Sequence, residues 1–117
     1  MLQTVLAITP ADLARRLGAG ERLALLDVRE EFERASCSIR VPSNVTDLHI
    51  PMGQVPARAV EVNEAAAGGP VVVYCHHGVR SMVVARWLAA RGVAGLLNLE
   101  GGIDAWSSEV DPAVPRY

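Results

Sequence analysis

The sequence predicts an α/β fold, a central and mostly parallel sheet of about five strands with helices on both faces. Three observations predict it. Short runs of Val and Leu recur along the chain, and runs without polar alternation are the pattern of strands buried on both faces. Between them lie segments whose apolar residues recur at helical spacing. The connections are short, as in units that pass from strand to helix and back to a parallel strand.

The elements follow in order. Thr9 has an N-cap side chain, Pro10 suits the first helical position, and Asp12 falls three residues after the cap. Leu13 and Leu17 then share one face, and Gly18 and Gly20 end the segment. "LALLDVR", Leu23 to Arg29, is an apolar run ending in charge and predicts a buried strand. "EEFERA" predicts a short helical turn. From Ser36 to Val55 Pro42, Pro51 and Gly53 break any period, and the expectation is mostly loop with a short strand around Leu48 to Ile50.

"VPARAVEVNEAAAGG", Val55 to Gly69, predicts a helix begun near Pro56 and stopped by the glycine pair. "PVVVYC" carries the clearest strand pattern, three valines and a tyrosine without charge. "SMVVARWLAARG", Ser81 to Gly92, carries the clearest helix pattern. Val83, Val84, Trp87 and Leu88 make an apolar stripe, Arg86 and Arg91 fall elsewhere, and Gly92 caps it. "GLLNLEGG" predicts another short strand ending in the turn residues Gly101 and Gly102. "IDAWSSE" predicts a final short helix with Ile103 and Trp106 on its inner face. Residues 1–117 are expected to form one domain, with 111–117, "DPAVPRY", as a proline-rich tail.

Composition narrows the function. Half the residues are hydrophobic and 21% are charged, which is a globular balance. No apolar run approaches the roughly 20 residues of a membrane helix, so no membrane partner is expected. The uncharged stretch Met1 to Ala11 lacks the basic flank of a secretory signal. A formal charge of −2 leaves no broad basic surface for nucleic acid. All eleven basic residues are arginine, so no lysine is available for Schiff-base chemistry and an anion site must use arginine, histidine or backbone amides. Two cysteines, Cys37 and Cys75, are too few for a disulfide framework, and they predict reduced thiols in a cytoplasmic protein.

"PVVVYCHHGVRS" concentrates the chemistry. A core thiol fits the valines but not the switch to His-His-Gly-x-Arg directly afterwards. A metal site fits poorly, because Cys75, His76 and His77 are neighbours and His49 is the only other histidine. The remaining readings share one physical core. A strand delivers Cys75 to a turn, and a helix begins at about Val79 to Ser81, so loop amides and a helix N-terminus face the sulfur and favour its anion. Gly78 permits a turn that a side chain would obstruct, and Arg80 adds a fixed positive charge. The cradle then serves either a phosphatase-type nucleophile or a carrier of sulfur. The interval from Cys75 to Arg80 holds four residues, one fewer than in the Cys-to-Arg loop of cysteine phosphatases. A tighter ring of amides suits one sulfur atom better than three phosphoryl oxygens.

With these segments in view, the sequence resembles the single-domain rhodaneses, thiosulfate-type sulfurtransferases. The resemblance rests on "LLDVREEFE" at Leu25 to Glu33, "HIPMGQVPAR" at His49 to Arg58, "VVVYCHHGVRS" at Val71 to Ser81 and "NLEGGIDAW" at Asn98 to Trp106. It implies a rhodanese-like fold and a catalytic Cys75 at the first position of the loop. It implies a ping-pong relay through a Cys75 persulfide, with His76, His77, Gly78, Val79, Arg80 and Ser81 binding the substrate. The partners implied are a small anionic, thiosulfate-like sulfur donor and a thiol, cyanide or protein acceptor, with no cofactor and no metal.

Arg80 is expected either to bind the donor's sulfonate or to stiffen the loop through an ion pair. Asp27 and Arg29 match the family's Asp-Val-Arg and are expected to brace the site. Cys37 is expected to be an ordinary thiol, and Trp87 and Trp106 to belong to the core. Between Arg34 and Ile50 the chain carries "ASCSIRVPSNVTDLHIP" where many members have His-Ile-Pro-Gly-Ala. The loop also lacks the lysine or second arginine of some thiosulfate-specific members, which implies a poor thiosulfate donor reaction.

Overall fold

Short segments, most of them rich in Val and Leu, become strands here, and the segments between them become helices. The computed structural model describes residues 3–117; the first two residues of the uncharged opening stretch lie outside them. In chain order the elements are β1 (Leu6–Ile8), α1 (Pro10–Gly18), β2 (Ala24–Asp27), α2 (Glu31–Ser36), β3 (Thr46–His49), a single 3-10 turn at Met52–Gln54, α3 (Val55–Ala66), β4 (Val71–Tyr74), α4 (Val79–Ala90), β5 (Leu96–Leu99) and α5 (Gly102–Glu109). The five strands form one sheet in the order β1-β5-β4-β2-β3, and every pairing is parallel.

β4 lies at the centre and is buried along its whole length. Its alternation sorts the core into two layers. Val71 and Val73 pack with Leu26, Val62, Val84 and Leu88 beneath α3 and α4. Val72 and Tyr74 pack with Leu25, Leu13, Ile103 and Trp106 beneath α1 and α5. Because the strands are parallel, the carboxyl ends of β2, β4 and β5 reach one edge together, where ligands of such sheets bind. Among the described residues no helix is long and apolar enough to cross a membrane.

Several boundaries depart from the sequence pattern. β1 was not expected; it is three residues long, with Leu6 and Ala7 exposed, so its apolar signal is weak. The edge strand β3 lies two residues earlier than Leu48 and carries Thr46 and Asp47 on exposed positions. α4 starts at Val79, the early end of the expected Val79-to-Ser81 start, because Gly78 takes a left-handed conformation at φ 101° and caps it. In the α4 stripe Val84 and Leu88 are buried, but Val83 faces solvent at 52% exposure, and Ala85 and Ala89 take the inner positions instead.

Candidate active site

Cys75 follows β4 directly and is 1% exposed. Its Sγ accepts the backbone N–H of Gly78 at 3.1 Å and that of Ser81 at 3.4 Å. Both donors belong to the cap and first turn of α4, so the helix dipole adds to the two hydrogen bonds. The Ser81 hydroxyl donates to Asn98 Oδ1 at 2.6 Å, and Asn98 Nδ2 donates to the Gly78 carbonyl at 3.2 Å. Ser81 Oγ, its proton committed to Asn98, accepts the Cys75 thiol at 3.3 Å. The neutral thiol and the thiolate thus each have a partner: an oxygen for the S–H, two amides for the anion.

The loop is seated on the start of α5. Ile103 N donates to the Cys75 carbonyl at 2.9 Å and Asp104 N to the His76 carbonyl at 3.1 Å. These contacts require Gly102. It sits at φ 61°, and a Cβ there would run into the carbonyl oxygens of Cys75 and His76. Gly102 is therefore more than the turn residue its sequence position suggests.

Arg80 does not point into open space. Its Nη1 and Nη2 fork the carboxylate of Glu33 at 2.6 and 2.9 Å. Glu33 is 5% exposed and also accepts the Glu30 amide at 3.0 Å and the Tyr117 hydroxyl at 2.7 Å. The Arg80 fork, against the penalty of burial, holds the Glu33 carboxyl down at about 2. Of the two expected uses of Arg80, the geometry is that of the ion pair.

Asp27 and Arg29 are both fully buried. Arg29 Nε and Nη2 fork Asp27 at 2.9 and 2.8 Å, and its remaining donors reach the Cys37 carbonyl at 2.7 Å and the Tyr117 hydroxyl at 3.0 Å. Burial alone would lower the Arg29 pKa, but the Asp27 hydrogen bonds outweigh it and keep the guanidinium charged. Arg34 adds a contact to Asp27 at 3.3 Å, and His49 Nε2 donates to the Arg29 carbonyl at 2.8 Å. The chain Asp27–Arg29–Tyr117–Glu33–Arg80 thus ties the end of β2 to the Cys75 loop.

The His76 ring is stacked between His77, at 3.9 Å, and Tyr117, at 4.0 Å. Burial, reinforced by His77, lowers its pKa and keeps the imidazole neutral. The fold also brings Asp104 beside both histidines, with ligand atoms of all three within 4.8 Å of one another. Sequence neighbours alone did not reveal that cluster. Arg116 forks Asp104 at 2.9 and 3.1 Å, and the histidine planes lie only 23° apart, so their in-plane lone pairs run side by side rather than converge. Cys37 is half-buried in the layer opposite Cys75. Trp106 is core, while Trp87 is half-buried with Arg91 over its ring at 3.5 Å.

Glu33, Asn98 and Tyr117 were not singled out by the sequence. Asn98 had a legible signal, a polar residue inside a buried strand, which must find a partner.

Residues 9–109 match the family model described as Rhodanese-like domain. The chain is 36% identical over 105 residues to the putative sulfurtransferase YtwF of Bacillus subtilis, covering 90% of this chain and 93% of that protein. It is 34% identical over 112 residues to the maize adenylyltransferase and sulfurtransferase MOCS3-2, covering 94% of this chain but 23% of that much longer protein. A rhodanese-related protein of Thermoplasma volcanium superposes with a TM-score of 0.71 at 28% identity, covering 96% of this chain and 99% of the other. With the match running through every strand after β1 and through the Cys75 loop, the chain belongs to the rhodanese-like domain family.

Proposed function

We propose that the chain is a sulfurtransferase that moves a sulfane sulfur, from thiosulfate or another persulfide donor, to a thiol or cyanide-type acceptor through a persulfide on Cys75. The observation that carries this reading is the Cys75 sulfur itself, set at the carboxyl end of the central strand beneath the amides of Gly78 and Ser81. In the first half-reaction the Cys75 thiolate attacks the outer sulfur of thiosulfate. A bond forms between Sγ and that sulfur, the bond to the sulfonate sulfur breaks, and sulfite leaves with the electron pair. In the second half-reaction an acceptor thiolate takes the outer sulfur, and Cys75 returns as thiolate. The first-turn amides stabilise the terminal persulfide sulfur, whose charge is that of one atom. His76 to Ser81 supply the cradle, and the Asp27–Arg29 pair braces it from β2. Two free thiols suit a reducing compartment such as the cytoplasm.

The test is intact-mass measurement before and after thiosulfate. The wild-type protein gains one sulfur, Cys75→Ser does not, and cyanide then releases thiocyanate. A wild-type protein that takes up no sulfur from thiosulfate or from an alkyl persulfide overturns the reading. One observation favours a second reading, a sulfur carrier without efficient small-molecule turnover: the Arg80 charge is already spent on Glu33, which leaves less attraction for a free sulfonate. A loaded protein that passes sulfur slowly to cyanide and rapidly to a protein thiol decides for the carrier.

A further inference from the structure

We infer that Tyr117 is a specificity-determining residue of the Cys75 site, a side wall that admits slender sulfur donors and turns away bulky ones. The inference rests on the relay proposed above. Residues 111–117 do not trail into solvent. Val114 is buried and its carbonyl accepts the Ser107 hydroxyl. Arg40 holds Asp111 at 3.1 Å, and Arg116 forks Asp104 in the first turn of α5. These anchors deliver Tyr117 to the loop in one defined position.

There it bridges both flanks of the cradle. Its ring stacks on His76, the residue after Cys75, with planes 10° apart. Its hydroxyl donates to Glu33, which carries Arg80 at the far flank, and accepts from Arg29. The hydroxyl therefore has both a donor and an acceptor partner, so the ring cannot swing aside without breaking two hydrogen bonds to charged groups. Cys75, one residue before His76, is itself 1% exposed. On this inference the donor approaches between the Tyr117–His76 stack and the first turn of α4. Thiosulfate carries one compact sulfonate beside its reacting sulfur, whereas an alkyl persulfide of peptide size carries a chain that meets the ring.

The experiment compares sulfur loading from thiosulfate and from glutathione persulfide in the full chain. The readout is the ratio of kcat/KM for the two donors, which a general loss of stability does not move. Tyr117→Ala is expected to shift the ratio toward glutathione persulfide by about tenfold, a steric discrimination of ordinary size. Tyr117→Phe keeps the ring but removes the two hydrogen bonds that hold it, and its ratio is expected to fall between those of wild type and Tyr117→Ala. Tyr117→Trp, which enlarges the wall, is expected to shift the ratio the other way and keeps the test open should the alanine variant unfold. Equal ratios in all four proteins overturn the inference. Should wild type load from neither donor, the relay itself fails, and the wall is judged by alkylation of the Cys75 peptide with iodoacetamide against N-phenylmaleimide. Tyr117→Ala must then speed the larger reagent selectively, and parallel rates overturn the wall as well.

Discussion

Glu33→Gln isolates the ion pair that holds the loop. The carboxylate receives four donors: the Glu30 amide, both Arg80 Nη atoms and the Tyr117 hydroxyl. Glutamine keeps the shape and one acceptor but removes the charge and leaves Arg80 with an amide dipole. The Glu33 carboxyl is held at about 2, against an ordinary 4.5, and a gap of that size is worth about 3 kcal/mol of folding stability at neutral pH. The Arg80 side chain is 36% exposed, so part of its interaction is screened by water and about 2 kcal/mol is the expected cost.

The sign with pH is fixed by the direction of the shift. A depressed carboxyl contributes fully above its unfolded value, and the contribution drains away as pH falls from about 5 toward 2. More than half of it is gone at pH 3. Urea unfolding of wild type and variant at pH 7 and pH 3 therefore shows a gap of about 2 kcal/mol that shrinks below about 1 kcal/mol on acidification. Other carboxylates titrate identically in the two proteins and cancel in the difference. A gap that stays constant between the two pH values refutes the reasoning, because the cost would then be one of shape and not of charge.

Two further outcomes test the cradle. Gly102→Ala places a Cβ against the Cys75 and His76 carbonyls at a left-handed position, and a loss of about 3 kcal/mol or more, read as a fall in Tm of about 10 °C, is expected; a Tm within about 2 °C of wild type would mean that the seat of the loop gives way freely. Ser81→Ala leaves the Cys75 S–H and Asn98 Oδ1 without their shared partner. It is expected to cost about 1–2 kcal/mol in urea unfolding and, because Ser81 Oγ partners the thiol and not the anion, to leave persulfide formation at or above the wild-type rate; a marked fall in the loading rate would refute that assignment.

How far the sequence reaches depends on whether the information is local. β4 and α4 were legible because burial writes a continuous apolar run in one and a helical period in the other. Cys75, Gly78 and Arg80 were legible because the loop that holds them is contiguous. β1 was not, and β3 was legible only in its second half, since an edge strand half in solvent carries no clean period. The partner of Arg80 was beyond reach for a different reason. Glu33 lies 47 residues away and Tyr117 lies 84 residues from Glu33, and only the sheet order, which sets β2 beside β4, brings them to one edge. Glu33 also disguises itself, because its place three residues after Glu30 reads as an ordinary helix-capping carboxylate. It does cap α2, with one oxygen, while the same carboxylate forks Arg80.

That double use bears on what the loop recognises. An arginine near a reactive cysteine invites the reading that its charge draws the anionic donor and steadies the thiolate. With Arg80 and Glu33 in contact at 2.6 Å, the pair is nearly neutral as seen from the sulfur, and its field falls off as a dipole. The anion at Cys75 is left to the two amides, at 3.1 and 3.4 Å, and to the N-terminus of α4. Backbone donors of this kind do not reorganise, provided the turn that presents them is held rigid. Gly78 shapes that turn, the α5 amides seat it from below, and the Arg80–Glu33 fork pins its far end. Side chains therefore fix the loop and the main chain holds the charge. A cradle built that way offers converging N–H groups to one atom, and its arginine is held by Glu33 and not left to spread over a larger anion. Under the relay proposed above, this division of labour is the physical reason for a single transferable sulfur to suit the site better than a phosphoryl group.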